Sequence, residues 1–251
     1  MLSSLSNPRV KAVAKLRDAS ARRATRRFVV EGSNDTAKAL LFGWPVIERF
    51  TLAETSNTTW VSPDVMAKMS YRKTPPDELV VFSSERAVPR TRESPRPGDL
   101  WLVCVGSEKP GNLGAMARTA AAVGCRGLIA TGTVDLLNPN AIRNSRAAML
   151  APWCTTATDD EARMWLLDHE VRTLALVAPP AVGESLWSLP IDDRPTAILV
   201  GPEHAGLDDA WLGVASDRVT IPMRTDVSDS LNAGITAAVA LFELDRRRRE
   251  T

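Results

Sequence analysis

Histidine and cysteine are scarce in this chain, and each scarcity removes a class of chemistry. Among 251 residues there are two histidines (His169 and His204), three cysteines and one tyrosine. Cys104, Cys125 and Cys154 are odd in number and scattered, and no Cys-x-x-Cys occurs. Two of them lie inside apolar runs, LVCVG and AVGCRG, so all three read as reduced packing residues rather than as a disulfide framework. Two histidines without paired cysteines offer no zinc-type spacing and make a hydrolytic triad unattractive, so no metal is expected. No apolar run approaches the length of a membrane span, and the opening MLSSLSNPRVKAVAKLRD lacks a signal-peptide core. The expected location is the cytoplasm, with no membrane partner. No Gly-x-Gly-x-x-Gly follows an expected strand, which argues against a dinucleotide-dependent oxidoreductase. What remains is ordinary globular composition, 44% hydrophobic and 24% charged.

The net charge of +1 conceals an uneven distribution. Residues 1–97 hold 17 Lys and Arg against 10 Asp and Glu, whereas residues 98–251 hold 14 against 20. Such asymmetry points to a polyanion partner for the first half. Arg9, Lys11, Lys15, Arg17, Arg22, Arg23, Arg26 and Arg27 face a single acid, Asp18, and Val10, Val13, Ala14 and Leu16 accompany them at helical spacing. One face can therefore dock while the other presents a basic stripe. Strands are expected over 28–31, 46–52 and 78–83 and helices over 33–41 and 63–69, an α/β pattern. The stretch AVPRTRESPRPG (87–98) has linker composition. The expected division is a first domain over 1–90, a linker over 91–98 and a second domain over 99–251.

The second domain opens with an apolar strand, 100–105, suited to a buried parallel position. It runs into PGNLGAMARTAAAVG (110–124), where Asn112 is expected to cap a helix that carries Arg118 and ends at Gly124. A strand over 127–130 ends in Ala130, Thr131 and Gly132, small residues that leave room for a ligand at a strand's carboxyl end. Residues 159–170 and 173–177 read as helix and strand, with little functional signal. The strand 197–200 stops at Gly201-Pro202-Glu203, where Glu203 is either a helix-start carboxylate or a site residue. A strand over 218–221 is ended by Pro222. After it a polar loop leads to Leu231, Ile235, Ala238 and Phe242, which share one helical face. Ser228 or Asp229 can cap that helix. Ser230 and Asn232 are open to two readings, first-turn capping or part of a ligand loop.

Three segments in this order, Asn-x-Gly-x-x-x-Arg at 112–118, Gly-x-Glu-x-x-Gly-Leu at 201–207, and Ile-Pro-Met at 221–223 followed by Ser-Leu-Asn at 230–232, resemble the motifs of the SpoU-type RNA 2′-O-methyltransferases of the SPOUT superfamily. The opening NPRVKAVAKLRDASARRATRRFVVEG resembles the small RNA-binding α/β domain that precedes the catalytic domain in many members that act on rRNA. LLNPNAIRNSRAAML (137–150) resembles the family's Arg-x-Ser-x-Gly-Ala segment, matching at Arg143 and Ser145, with Ala147 where glycine is common.

The resemblance implies a parallel-sheet SPOUT domain with a deep trefoil knot, a homodimer with its sites at the subunit interface, and S-adenosylmethionine as cofactor. It implies cofactor contacts at Ala130, Thr131, Gly132, Val200, Gly201, Ile221, Met223, Ser230 and Leu231, and catalytic roles for Asn112, Arg118, Glu203, Ser230 and Asn232. RNA would be held by Arg9, Lys11, Lys15, Arg22, Arg23, Arg26, Arg27 and Arg143. The implied reaction is ribose 2′-O-methylation, on rRNA in preference to tRNA. An RNA-binding dimer without catalysis is the alternative.

Overall fold

A computed structural model of the chain describes residues 1–85, 93–133, 135–178, 181–224 and 230–250. In chain order the elements are α1 (Pro8–Lys15), α2 (Ala19–Thr25), β1 (Arg27–Glu31), α3 (Ser33–Leu41), β2 (Val46–Thr51), β3 (Thr59–Trp60), α4 (Pro63–Met69) and β4 (Glu78–Ser83). They continue as β5 (Leu100–Cys104), α5 (Pro110–Val123), β6 (Gly127–Thr131), α6 (Pro139–Asn144), β7 (Cys154–Ala157), α7 (Asp159–Asp168), β8 (Arg172–Leu176), β9 (Glu184–Ser185), β10 (Thr196–Val200), α8 (Asp209–Gly213), β11 (Asp217–Thr220) and α9 (Ala233–Arg249). The chain divides into two compact units, Met1–Arg90 with Asp135–Pro152, and Thr91–Val134 with Trp153–Thr251.

The first unit is built on a four-stranded sheet of order β1-β4-β2-β3, antiparallel except for the β2–β3 pair. β1 and β4 are continuous apolar runs because both faces of this sheet are covered. Successive side chains point to opposite faces. Val29, Leu79 and Val81 pack with Val10 and Val13 of α1 and with Val65, Met66 and Met69 of α4. Phe28, Val30, Val80 and Phe82 pack with Ala39, Trp44, Ile142, Ala147 and Leu150. The second set explains why the linear division into domains differs from the contacts at one place. Residues 135–152 fall within the expected second domain, yet they group with the first unit because its sheet has a second apolar face to cover. Polar contacts reinforce this, since the Trp44 indole donates to the Leu150 carbonyl at 2.9 Å and Lys38 to the Arg146 carbonyl at 2.8 Å.

Ala147 lies in this buried layer at φ 63°, a left-handed conformation that glycine adopts more readily than alanine. The strain on a residue with a Cβ, about 1–2 kcal/mol, is largely offset by burial of its methyl, about 0.8 kcal/mol, and by the lower chain entropy of alanine when unfolded.

The second unit is a seven-stranded sheet of order β7-β6-β5-β10-β8-β11-β9, parallel throughout. β5, β6 and β10 are buried at every residue, as their apolar runs require. On one face Trp101, Val103, Ile129, Ala197 and Leu199 pack with Ala162 and Leu166 of α7 and Trp211 of α8. On the other, α5 and α9 lie against each other, with α9 over β10 and α5 over β5 and β6. Gly127 faces Trp101 in register, and a Cβ there would sit 1.9 Å from the indole ring, so β6 must begin without a side chain.

α9 buries Ala237, Ala240, Leu241 and Leu244. Of the face read from Leu231, Ile235, Ala238 and Phe242, Leu231 precedes the helix and Ala238 is half-buried, while Leu231, Ile235 and Phe242 are 36%, 53% and 52% exposed.

Arg22, expected among the RNA contacts, is 3% exposed, and its guanidinium binds the Leu16 and Arg17 carbonyls and both donates to and neutralises Asp135. Its cation is therefore used inside the unit. We expect Arg22→Ala to destabilise the protein by about 3 kcal/mol in chemical denaturation, toward the lower end for a broken buried pair because Asp135 keeps some solvent contact. The exposed neighbour Arg23 supplies the comparison, and Arg23→Ala should change stability by less than about 0.5 kcal/mol.

Candidate active site

Strand order decides where the site forms. β10, β8 and β11 are adjacent and parallel, so their carboxyl ends open side by side, the usual ligand position in an open α/β sheet. A cavity of about 440 Å³ lies there, lined by Leu176, Val177 and Ala178 after β8, by the 200–207 loop after β10, and by Ile221, Met223, Ser230, Leu231 and Ala233. Of the residues expected to bind a cofactor, Val200, Gly201, Ile221, Met223, Ser230 and Leu231 come together in its wall.

Ala130, Thr131 and Gly132 do not join them. β6 is separated from β10 by β5, so its carboxyl end serves another purpose. Thr131 is fully buried and its hydroxyl accepts from the Gly106 amide at 3.0 Å, while Gly132 backs onto Gly106 so closely that a Cβ would lie 3.1 Å from the Gly106 Cα. The small residues of β6 make room for the loop after β5. Leu176, Val177 and Ala178 take the place expected of them, and the only sequence signal was an apolar strand broken by the prolines that follow.

The loop after β10 is wound tightly. A Cβ at Gly201 would lie 2.5 Å from the Gly206 carbonyl carbon and 2.7 Å from the Leu207 nitrogen, so glycine is required where the loop folds back on itself. This brings Glu203 to the starts of two helices. Its Oε1 accepts from Asn112 Nδ2 at 2.9 Å and from Asn232 Nδ2, and its Oε2 pairs with Lys109 Nζ. Asn232 Nδ2 also reaches Asn112 Oδ1 at 3.2 Å. The Lys109 and Asn112 donors hold the Glu203 carboxyl below its ordinary pKa, against the smaller opposing effect of burial.

Asn112 is not the helix cap. α5 begins at Pro110 with Lys109 as its N-cap, and Asn112 projects from the first turn to Glu203. Asn232 satisfies both readings with different atoms, since its Oδ1 accepts from Gly234 N at 2.9 Å to cap α9 while its Nδ2 serves the network. Ser228 and Asp229 lie outside the described residues. A second cavity of about 210 Å³ adjoins this network, lined by 106–109, Asn112, Met116, 201–205 and Ala233.

Arg118 is on the same helix as Asn112 but lines neither cavity. Six residues of α-helix advance about 9 Å and turn the side chain about 120° away. It is exposed. On the first unit, Lys11, Lys15, Arg23, Arg26 and Arg27 are exposed as expected of polyanion contacts, while Arg9 pairs with Glu48. Arg143 is half-buried, donates to Asn140 Oδ1 at 2.7 Å and lies 6.0 Å from the centre of the Tyr71 ring.

The larger cavity suits a small molecule of about nucleoside size. Its volume is in the range of small-molecule sites, its wall is mainly apolar side chains and strand-end backbone, and among the described residues it carries a carboxylate and no Lys or Arg.

A parallel sheet that opens at adjacent strand ends onto such a cavity, with an ionised carboxylate and a helix start at the rim, defines a cofactor-dependent α/β enzyme. The chain belongs to the SpoU rRNA Methylase family, whose pattern matches residues 99–242, and residues 7–79 match an MRM3-like substrate binding domain. It is similar to the crystal structure of an RNA 2′-O ribose methyltransferase, at 34% identity over 99% of both chains with a TM-score of 0.87. An AdoMet-bound rRNA methyltransferase from Sinorhizobium meliloti has 26% identity over 98% of this chain and 97% of that one, with a TM-score of 0.87. The 23S rRNA (uridine(2479)-2′-O)-methyltransferase of Streptomyces viridochromogenes is 28% identical over 88% of this chain and 83% of its own length. The tRNA (guanosine(18)-2′-O)-methyltransferase of Aquifex aeolicus is 27% identical over 66% of this chain and 79% of its own length.

Glu203→Ala removes the acceptor that three donors share. Amides of 201–207 and of the first turn of α9 should then exchange hydrogen at least about tenfold faster, with the central strands unchanged. Glu203→Gln, which keeps an acceptor for the two asparagines but loses the lysine pair, should be intermediate. In the wild type the same loosening should appear as pH falls through the lowered pKa of Glu203, because the charged form that holds the donors prevails above it.

Proposed function

We propose that this protein transfers the methyl group of S-adenosylmethionine to a ribose 2′-hydroxyl of RNA, with ribosomal RNA as the substrate class. The observation that carries the reading is the cavity at the ends of β8, β10 and β11 with the Asn112–Glu203–Asn232 network on its rim. Ribosomal RNA is favoured because the S. meliloti and S. viridochromogenes rRNA enzymes match across both units, whereas the A. aeolicus tRNA enzyme covers a smaller share of this chain. The exposed Lys11, Lys15, Arg23, Arg26 and Arg27 supply the surface for the phosphate backbone. Such an enzyme works where its RNA is, in the cytoplasm.

S-adenosylmethionine supplies an electrophilic methyl on a positively charged sulfur. Val200, Gly201, Ile221, Met223, Ser230 and Leu231, with Leu176 to Ala178, would hold it. Glu203 orients Asn112 and Asn232, whose amides fix the helix starts against the loop, and its own negative charge favours a cation nearby. Arg118 would grip phosphate and stabilise a developing alkoxide with its fork of donors, since a guanidinium has no acceptor and is a poor base.

Arg118 must reach a site from which it is turned away in its own chain, and the homodimer reading resolves this. The open Ile235 and Phe242 face of α9 and the exposed Ala115, Ala121 and Ala122 of α5 favour a second copy packing there, with each Arg118 entering the other's site. The trefoil knot implied by the family is supported by the course of the C-terminus, which leaves β11 next to the sheet edge and returns to pack α9 over the central β10.

Calorimetry should detect S-adenosylmethionine binding in the presence of EDTA, and a requirement for a divalent ion would overturn the cofactor reading. Mapping 2′-O-methyl positions in total RNA with and without the gene should then reveal one lost rRNA site. A lost tRNA site would move the substrate class, and no lost site would leave an RNA-binding dimer without catalysis.

Arg118→Ala and Glu203→Ala should each reduce turnover at least about a hundredfold. Mixed one to one and allowed to re-associate, the two inactive variants should recover about a quarter of wild-type activity, since half of the dimers formed by random pairing carry one intact site. No recovery would mean that Arg118 serves its own chain. Arg118→Lys should stay impaired, because a point charge lacks the fork that grips phosphate.

A further inference from the structure

The two cavities share a wall, residues 201–205 with Ala233. A proton released between them would meet few acceptors. Glu203 is engaged by three donors and held below its ordinary pKa, so taking a proton would dissolve the network that shapes the wall. The side chains of Arg118 and Lys109 offer donors and no acceptor. Cys104 and Cys125 are buried, which pushes the thiol of Cys125 up to about 12 and that of Cys104 further. His204 lines both cavities, is exposed, and its ring has no hydrogen-bond partner among the described residues. The other histidine is used elsewhere: His169, at the end of α7, has its Nδ1 2.8 Å from the Trp165 carbonyl and its ring 4.9 Å from that of Trp165.

We propose that His204 is a catalytic residue that accepts the 2′-hydroxyl proton, with the ribose seated in the smaller cavity and the cofactor in the larger. The inference rests on the methyl-transfer reading. As the hydroxyl reacts, its O–H bond breaks and the proton passes to the unprotonated ring nitrogen of His204. The oxygen forms the bond to the methyl carbon, and the carbon–sulfur bond breaks with its electron pair left on sulfur. One positive charge is thus lost at sulfur and one gained at the imidazole. An imidazole, which ordinarily titrates near pH 6.5, is suited to this at neutral pH. The charged groups that line the smaller cavity with it are Glu203 and Lys109, paired with each other, and Glu108.

Because the chain has two histidines, NMR of the full-length protein resolves both imidazoles during a pH titration, with His169 as internal reference. With S-adenosylmethionine bound, His204 should titrate at least about 0.3 pH units lower than with S-adenosylhomocysteine, the effect of one unit charge within roughly 8 Å in a solvent-exposed setting. His169 should not move. His204→Gln should keep S-adenosylmethionine affinity within about threefold, lose turnover by about a hundredfold or more, and lose the acid limb of the kcat profile. A structural role would not remove that limb. Equal titration with both ligands would overturn the proposal, as would a variant that keeps turnover within threefold with its acid limb intact. If wild type makes no methylated RNA, the reading of function fails by itself, and the ligand comparison still decides whether His204 faces the sulfur.

Discussion

One ionised carboxylate holds the site together. Glu203 takes donors from Lys109 and Asn112 at the start of α5 and from Asn232 at the start of α9, so three segments far apart in the chain meet on two oxygen atoms. The bonds are charge-assisted, and the donors keep the acceptor ionised. Around this point the other features are ordered. The loop after β10 must turn sharply to present Glu203, which requires a bare backbone at Gly201, and α9 must begin where Asn232 can both cap it and reach the carboxylate. The cavity wall is the outer surface of that junction.

The first unit solves a different problem with the same economy. Its sheet is apolar on both faces, and helices α1 and α4 cover only one. The other face is closed by α3 and by residues borrowed from between β6 and β7, held by the buried Arg22 and the Trp44 indole. A basic residue in a basic run thus serves as an internal staple, while its neighbours Arg23, Arg26 and Arg27 face solvent. Charge density in the sequence measures the run, whereas burial separates Arg22 and Arg23 by the angle at which each leaves α2, and Arg26 and Arg27 lie beyond the helix, at its cap and at the start of β1.

α9 shows how an apolar stripe is to be read. The helix has two apolar faces, one lined by small residues that let it lie close to α5, the other carrying Ile235 and Phe242 into solvent. Small residues suit close approach of backbones, and large exposed ones suit a partner surface. The division of labour between the two faces is what favours a dimer.

Local sequence determined much of this protein. The helices over 33–41 and 63–69 and the strand over 78–83 lie where apolar period, Pro63 and the flanking breakers put them, and the other expected strands are displaced by a residue or so. Asn112, Glu203 and Asn232 were legible as a set because three motifs occur in one order. Strand order was not legible, because a parallel strand carries no mark of its neighbour, and so Ala130 to Gly132 seemed equivalent to the ends of β10 and β11 although β5 stands between β6 and β10. Nor was the fate of 135–152, or of Arg22, since the first depends on an apolar sheet face and the second on Asp135, each about a hundred residues away. Periodicity and capping are short-range and are written along the chain; adjacency of strands and burial of charge arise from crossovers, and only the assembled tertiary structure decides them.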